Sequence, residues 1–252
     1  MLKYSLCIEP VLTDLDFYDR IKAAAELGYD AIEFWDPVGK DISKIARLAD
    51  ENNIKVAICC VKDAWNLRMN FPSDIVLKNV KESIAIAKEL GSKSLIGLSG
   101  DVTGKVDSQK SLLIENLKRV AEIAKKDDVT ICMEALNSIV DHKGYYLDSS
   151  YVGFEIVKAV NSSCVKLLYD VYHMQIMEGN IVENINENID FIGHFHSAGV
   201  PGRNEHFNGE SNYPRIIKAI DDKNYNRFFG LEYWTTYDDK KSLKDCLNYL
   251  KG

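Results

Sequence analysis

Eight short hydrophobic runs alternate with amphipathic helical patterns along the chain, and this alternation predicts an α/β fold of the (β/α)8 type, a TIM barrel. The length of 252 residues is typical of one such barrel. No linker rich in Pro, Gly or Ser divides the chain, so we expect a single domain covering residues 1–252. Parallel strands joined by right-handed helical crossovers close most simply into a barrel when the unit repeats in this way.

The predicted strands are runs of apolar, β-branched and aromatic residues bounded by polar or turn residues. They cover residues 3–8, 30–35, 54–60, 93–98, 129–134, 165–170, 191–196 and 226–232. An open, doubly wound sheet is the alternative arrangement of such strands. It would need a glycine-rich phosphate loop after the first strand, where the sequence reads CIEPVLTD. The barrel is therefore the preferred prediction.

The predicted helices are stretches in which apolar residues recur every three or four positions. The clearest of them cover residues 15–28, 73–91 and 109–126. Gly28 and Gly91 end the first two stretches, as expected where a helix terminates in a left-handed residue. Each stretch is predicted to connect two strands and to pack on the outside of the barrel.

The composition argues against several classes of protein. A formal net charge of -7 gives a field that repels nucleic acid. The chain begins without the features of a signal peptide, and no run reaches the length of about 18 apolar residues that a membrane span needs. We therefore expect a cytoplasmic protein without nucleic-acid or membrane partners. The six cysteines lie scattered, mostly in apolar runs, without zinc-knuckle spacing, which predicts reduced, buried thiols.

Four consecutive predicted strands end on residues that can bind a metal ion. They are Glu134, Asp170, His196 and Glu232. The C-terminal ends of barrel strands meet at one rim, where the sites of TIM barrels lie, so these side chains come together if all four point inward. In strand seven the inward residues would be Ile192, His194 and His196.

Three carboxylates at one level would repel one another unless a proton or a cation intervened. The set therefore predicts one divalent ion. Oxygen and imidazole ligands without thiolates favour Mn²⁺ or Mg²⁺, with Co²⁺ or Zn²⁺ as the next choices. A single acidic residue at a strand end is more often a helix cap or a surface charge, but four in register favour the metal site. We assign His194 to the core or to support of the ligands, and no role to His142 and His206 in polar loops.

The second half of the chain also resembles a known family. The stretches MEALN, LYDVYHMQIMEGN, HFHSAGVPGRNE followed by GESNYPRI, and GLEYW are similar to hydroxypyruvate isomerases, which lie within the xylose isomerase-like superfamily together with the ketose 3-epimerases. The resemblance implies the same four metal ligands, with substrate contacts by His173 and Arg203. By this resemblance, hydroxypyruvate isomerases have Gln at the ligand position on strand seven, whereas the epimerases have His, as this chain does at His196. It further implies a homo-oligomer.

These residues predict isomerisation of a small α-hydroxycarbonyl compound through an enediolate, and the resemblance implies hydroxypyruvate to tartronate semialdehyde as the specific reaction. A divalent ion stabilises the negative charge of the enediolate. Glu134 and Glu232 are both ligands and acid/base groups. His173, predicted in the loop after the sixth strand, can polarise a substrate oxygen, and Arg203, predicted in the loop after the seventh strand, can bind a substrate carboxylate or hydroxyl. Asn137 and Glu9 are weaker candidates on the same rim, and Trp35, Trp65 and Trp234 are candidate pocket walls.

Three other functions remain open at this point. A ketose 3-epimerase or another sugar isomerase would use the same site on a longer, neutral substrate. An endonuclease-type metal hydrolase should need a cluster richer in histidine and a basic face, which five histidines and an acidic chain do not favour. A non-catalytic sugar-binding barrel would have little need for two glutamates and an aspartate around a metal ion.

Overall fold

The eight predicted strands form one closed parallel barrel in the computed structural model, which describes residues 2–104 and 106–252. Their bounds are β1 Lys3–Cys7, β2 Ala31–Phe34, β3 Lys55–Cys60, β4 Ser94–Gly97, β5 Thr130–Glu134, β6 Val165–Asp170, β7 Ile192–Ser197 and β8 Phe228–Leu231. Each strand pairs with its neighbours in sequence, and β8 closes the barrel on β1 through Tyr4 beside Phe229 and Leu6 beside Leu231. The predicted fold class is confirmed.

Helices connect the strands on the outside of the barrel. Their bounds are α1 Asp19–Leu27, α2 Ile42–Glu51, α3 Ser73–Glu89, α4 Val106–Ala124, α5 Ser150–Val160, α6 Val171–Met177, α7 Ile181–Asn188, α8 Tyr213–Asp222 and α9 Asp239–Lys251. Short 3-10 turns cover Lys125–Asp127 and Ile189–Phe191. Gly28 and Gly91 have φ angles of 92° and 66°, the left-handed conformation expected where α1 and α3 end.

Strand β7 illustrates how alternation divides the interior of the barrel from the layer beneath the helices. Phe195 packs against Tyr169 and Phe229, with ring centroids 6.1 and 5.8 Å away, so it faces the helices. His194 and His196 therefore face the barrel interior, as predicted. All six cysteines are buried and free, in agreement with the predicted reduced thiols.

Two local details differ from the sequence prediction. Strand β8 ends at Leu231, so Glu232 lies just beyond it, although its backbone N–H still donates to Ser197 O at 3.0 Å. Helix α6 begins directly after Asp170, so the prediction of His173 in a loop is wrong: it lies in the first turn of a helix. Among the helices of the described residues, none is both long enough and apolar enough to cross a bilayer.

Candidate active site and metal centre

The structure brings the four predicted metal ligands together at the C-terminal rim of the barrel. Glu134, Asp170, His196 and Glu232 are buried, and each offers one ligand atom within 4.8 Å of those of the other three. They come from β5, β6, β7 and the residue after β8, as the inward phase of four neighbouring strands requires. This group of side chains could hold a divalent ion.

His196 contacts carboxylates through both ring nitrogens. Nδ1 lies 3.1 Å from Glu134 Oε1 and 3.4 Å from Glu232 Oε2, and Nε2 lies 2.8 Å from Glu33 Oε2. Burial by itself would lower the pKa of His196, but the charges of Glu232 and Glu33, with the hydrogen bond to Glu134, raise it well above its usual range. The imidazole is thus the group around which the carboxylates of the site are arranged.

Asp170 caps a helix with one carboxylate oxygen and leaves the other oxygen on the side of the predicted ligands. Its Oδ1 accepts hydrogen bonds from the backbone N–H groups of Tyr172 at 2.8 Å and His173 at 3.3 Å, which caps the N-terminus of α6. Its Oδ2 points the other way, 4.0 Å from Arg203 Nη2. Burial raises the pKa of Asp170 to about 7 although Arg203 and His196 oppose the shift, so the surroundings supply too little positive charge for this carboxylate.

Glu232 is held by two strong donors. Its Oε1 accepts from Trp35 Nε1 at 2.5 Å, and its Oε2 accepts from Arg203 Nη2 at 2.5 Å. Burial opposes ionisation, but the charges of Arg203 and His196 keep the pKa of Glu232 well below its usual range. The carboxylate is therefore ionised and fixed in position.

The predicted substrate contact Arg203 lies in the pocket wall. Its guanidinium lies 5.1 Å from the ring centroids of both Tyr172 and Trp234. Its Nε is buried and has no hydrogen-bond partner among the described residues. Arg203 has φ 57° and follows Gly202 with φ 94°, so two successive left-handed residues turn the loop toward the rim. Arg203 thus lies where it was predicted, but its charge is paired with a predicted acid/base group.

Asn137 and His173 form a pair whose hydrogen bonds fix the histidine tautomer. The Asn137 Oδ1 accepts from the backbone N–H groups of Val140 and Asp141, both at 2.9 Å, so its Nδ2 is the donor that lies 2.6 Å from His173 Nδ1. Burial, reinforced by Arg203 and His142, lowers the pKa of His173 well below its usual range, which leaves the ring neutral. Its proton is then on Nε2, 3.4 Å from Asp170 Oδ2. Asn137, predicted to bind substrate, thus donates to His173, which is itself a predicted substrate contact.

Glu33 on β2 is a site residue that the sequence interpretation missed. It is 1% exposed, accepts a hydrogen bond from Ser5 Oγ, and lies 2.8 Å from both His194 Nε2 and His196 Nε2. Burial would raise its pKa, but the charges of the two histidines lower the pKa to about 2. A lone glutamate in the inward phase of the apolar run AIEF was the signal that could have found it. His194 thus shares the Glu33 carboxylate with the predicted ligand His196, and the two rings lie 5.2 Å apart.

Three other residues that the sequence analysis named contact neighbouring side chains. His206, predicted without a role in a polar loop, is fully buried, with Nε2 2.9 Å from Ser197 Oγ. His142 stacks on Trp65 at a centroid distance of 5.5 Å. Glu9 forms an ion pair with Lys40 at 2.7 Å.

The pocket above these groups has apolar walls and a charged floor. Apolar walls come from Trp35, Trp65, Trp234, Ile96, Leu98 and Leu136. Glu134, His196 and Glu232 reach the pocket from the floor, and Arg203 and His142 from the side. The empty space is about 640 Å³ including the open mouth, which suits a small-molecule ligand.

Comparisons with known proteins agree with the barrel and the site. Residues 21–252 match the family model described as xylose isomerase-like TIM barrel. The chain is 28% identical over 242 residues to hydroxypyruvate isomerase from Escherichia coli, and the match covers 92% of this chain and 93% of that protein. It is also 28% identical over 243 residues to 2-oxo-tetronate isomerase from Pectobacterium atrosepticum, with 92% of each chain covered.

A solved structure extends the comparison to three dimensions. A crystal structure described as an AP endonuclease, family 2, from Brucella melitensis superposes with a TM-score of 0.92 at 25% identity and covers 99% of both chains. The matches cover almost the whole length of the two isomerases named above. This chain is likewise an isomerase. It belongs to the xylose isomerase-like TIM barrel family.

Proposed function

We propose that this chain is a metal-dependent isomerase that converts hydroxypyruvate to tartronate semialdehyde. The observation that carries the proposal is the position of two buried glutamates, Glu134 and Glu232, which lie 3.1 and 3.4 Å from His196 Nδ1 and line a small pocket. The names of the two isomerase relatives, which both denote 2-oxo acids, support a substrate of this class.

The residues at the rim fit a divalent ion. Three buried carboxylates and one imidazole form a donor set of the hard and borderline type, which favours Mn²⁺ or Mg²⁺ over Co²⁺ or Zn²⁺. The raised pKa of Asp170 indicates a deficit of positive charge that a cation would correct. Glu134, Asp170, His196 and Glu232 would hold the ion, which would supply positive charge where the substrate carbonyl oxygen becomes negative.

Glu134 and Glu232 are the proposed proton-transfer groups. In the isomerisation, the hydroxyl-bearing carbon loses a proton and the carbonyl carbon gains one, while the hydroxyl proton moves to the former carbonyl oxygen. A carboxylate on each side of the substrate can accept the first proton and deliver the second. Burial protects both carboxylates from water, and the hydrogen bonds from Trp35 and Arg203 hold Glu232 in one orientation.

His173 is the proposed donor to a substrate oxygen. The Asn137 amide leaves the proton of the neutral ring on Nε2, and this nitrogen has no hydrogen-bond partner among the described residues. An N–H group directed at the oxygen that becomes negative stabilises the enediolate without a change in its own charge.

Arg203 is the proposed recognition group for the substrate carboxylate. Among the described side chains that line the pocket, it is the one with a fixed positive charge. Its buried Nε lacks a partner, so part of the guanidinium remains available while Nη2 pairs with Glu232. The planar fork of arginine matches a carboxylate better than an ammonium group does.

A ketose 3-epimerase is the second candidate, because His196 occupies the position at which the resemblance places histidine in the epimerases. The same glutamates and the same ion would serve a neutral sugar, but the pocket would then need no cation for a carboxylate. The endonuclease description of the Brucella structure is a weaker guide, since a net charge of -7 opposes binding of DNA.

The test is a substrate panel under defined metal loading. After chelation, the protein should convert neither hydroxypyruvate nor ketoses. Addition of Mn²⁺, Co²⁺ or Mg²⁺ should restore the conversion of hydroxypyruvate, which is measured by the aldehyde signal in NMR spectra. Full activity in protein shown to be free of metal contradicts the metal-dependent mechanism. If kcat/KM is higher for a ketose than for hydroxypyruvate, the keto-acid assignment is wrong and the protein is assigned as a ketose epimerase.

A further inference from the structure

Glu33 lies in the barrel interior, in direct contact with the predicted ligand His196. It belongs to β2, whereas His194 and His196 belong to β7, and these two strands are not neighbours in the barrel. The contacts of 2.8 Å from Glu33 to both histidines therefore span the interior. Ser5 on β1 donates to Oε1 of the same carboxylate. Three donors from two strands thus converge on one buried acceptor.

The barrel leaves space for this carboxylate at a glycine. A Cβ atom on Gly230 of β8 would lie 2.5 Å from Glu33 Oε1 and 2.9 Å from His196 Cδ2. Both distances are shorter than real Cβ contacts, and Glu33 and His196 are both buried and held by their mutual contact, so neither can move away easily. Gly230 is therefore part of the arrangement that lets Glu33 reach His196.

The contact with Glu33 determines which nitrogen of His196 faces the ligand set. An ionised carboxylate only accepts hydrogen bonds, so the Nε2 atom of His196 carries a hydrogen where it meets Glu33. Because Nε2 is occupied by Glu33, a divalent ion at the four-residue group would take the place of a proton on Nδ1 and use the lone pair of that nitrogen. Nδ1 is the atom that lies 3.1 Å from Glu134 and 3.4 Å from Glu232, at the centre of the four-residue group.

We propose that Glu33 is a positioning residue that fixes His196 as a metal ligand through Nδ1. The inference rests on the proposed metal-dependent function and extends it to a residue outside the four ligands. A carboxylate behind a histidine ligand fixes both the orientation and the tautomer of the ring and raises its basicity as a ligand. Without Glu33, the Nδ1–H tautomer would direct a hydrogen atom toward the ion.

A second ion is the competing explanation for the same residues, because Glu33, His194 and His196 also each offer an atom within 4.8 Å of the others. The 2.8 Å contacts favour hydrogen bonds, since they are ordinary distances between a ring N–H and a carboxylate oxygen. The two explanations differ in the number of ions bound per chain, which can be measured.

The experiment compares Mn²⁺ binding by wild type, Glu33→Met, Glu33→Gln and Ser5→Ala. Methionine keeps the approximate length of the side chain and removes the acceptor, and glutamine is the milder change if Glu33→Met does not fold. We expect one ion per wild-type chain and an affinity lowered about 10- to 100-fold in Glu33→Met, with a smaller loss in Glu33→Gln. Ser5→Ala removes a hydrogen bond to the same carboxylate without a contact to His196, so its affinity should stay close to that of wild type.

Crystal structures of the metal-free wild type and variants give a readout that does not depend on the ion. The His196 ring should turn or become disordered when Glu33 is replaced, and should keep its orientation in Ser5→Ala. Wild-type affinity and ring orientation in a folded Glu33→Met or Glu33→Gln protein would overturn the inference, as would two ions per wild-type chain. A wild type that binds no divalent ion would contradict the proposed function instead, and the ring orientation would still decide the role of Glu33.

Discussion

Arg203 Nη2 donates to Glu232 Oε2 at 2.5 Å, so the residue proposed to recognise the substrate is bonded to a residue proposed to transfer a proton. The pair joins the loop after β7 to the end of β8. Trp35 holds the other oxygen of the same carboxylate at 2.5 Å. Changes at either end of this pair are therefore expected to affect both binding and chemistry, and variants must be compared through ratios.

The first prediction concerns the two glutamates. Glu134→Gln and Glu232→Gln should each lower kcat by a factor on the order of 10² or more, because each change removes a proton-transfer group and a charged ligand. Turnover of hydroxypyruvate and metal content are measured on the same samples. Glu26→Gln, on the exposed face of α1, is the control and should leave both unchanged. A variant that stays fully metallated with a rate near that of wild type would show that its glutamate has only a structural role.

The second prediction tests the substrate class. Arg203→Ala should weaken kcat/KM for hydroxypyruvate by about 2 to 4 kcal/mol, the range for a charge-assisted contact in a partly desolvated site. Arg203→Lys should recover part of the loss, since lysine keeps the charge without the planar fork. The kcat/KM for neutral ketoses should fall far less. These substrates have no carboxylate, so the variant affects them only because Glu232 loses its hydrogen bond from Arg203. Equal losses for both kinds of substrate would remove the support for a keto acid.

The third prediction concerns the tautomer of His173. Asn137→Asp replaces an amide donor with a carboxylate of the same size, so His173 should move its proton to Nδ1 and lose the donor at Nε2. We expect kcat to fall by a factor on the order of 10 to 10², with Mn²⁺ affinity little changed. Nitrogen-15 NMR of the ring reports the tautomer directly. An unchanged kcat after the tautomer has switched would exclude His173 as the donor, and an unchanged tautomer would show that Asn137 does not determine where the proton lies.

The fourth prediction concerns stability at low pH and involves His206, away from the ligand set. Burial lowers the pKa of His206 to about 3, whereas in the unfolded chain it is about 6.5. The unfolded state therefore binds the extra proton first, and this histidine should cost about 1.4 kcal/mol of unfolding free energy for each pH unit below about 6.5. Above that pH both states are neutral and the effect vanishes.

Urea denaturation of wild type and His206→Phe measures this contribution. Phenylalanine keeps an aromatic ring against Tyr213 and Tyr233, which lie 4.7 and 5.2 Å from the histidine ring. Between about pH 7.5 and about pH 5.5, the wild type should lose roughly 1 kcal/mol more than the variant. Parallel losses in the two proteins would mean that His206 is not the group responsible.

The barrel could be predicted from the sequence because its cause is periodic. Strand β3 was predicted at residues 54–60 and covers Lys55–Cys60, and Gly28 and Gly91 end helices as expected. The alternation of His194 and His196 with Phe195 gave the inward phase of β7. Such patterns depend only on neighbours in sequence, so they are visible without a structure.

The features of the site that the sequence did not predict depend on contacts between residues far apart in the chain. Glu33 lies 163 positions from its partner His196, and no local pattern relates β2 to β7 across a barrel. The predicted loop after β6 is a helix because the Asp170 side chain caps it, and the pattern of the seven residues of α6 was too short to detect. The pairing of Arg203 with Glu232 likewise depends on how one loop folds over the rim.

All three tryptophans of the chain, Trp35, Trp65 and Trp234, line the pocket. The Trp35 indole N–H is bonded to Glu232, and the rings of Trp35 and Trp234 lie 6.5 Å apart. The tryptophan fluorescence of this protein, excited selectively above the tyrosine absorption band, therefore originates entirely from the walls of the candidate active-site pocket. A ligand that displaces water from these indoles, or a change at Glu232, should alter the emission spectrum without any attached dye. The enzyme thus carries its own optical reporter of occupancy.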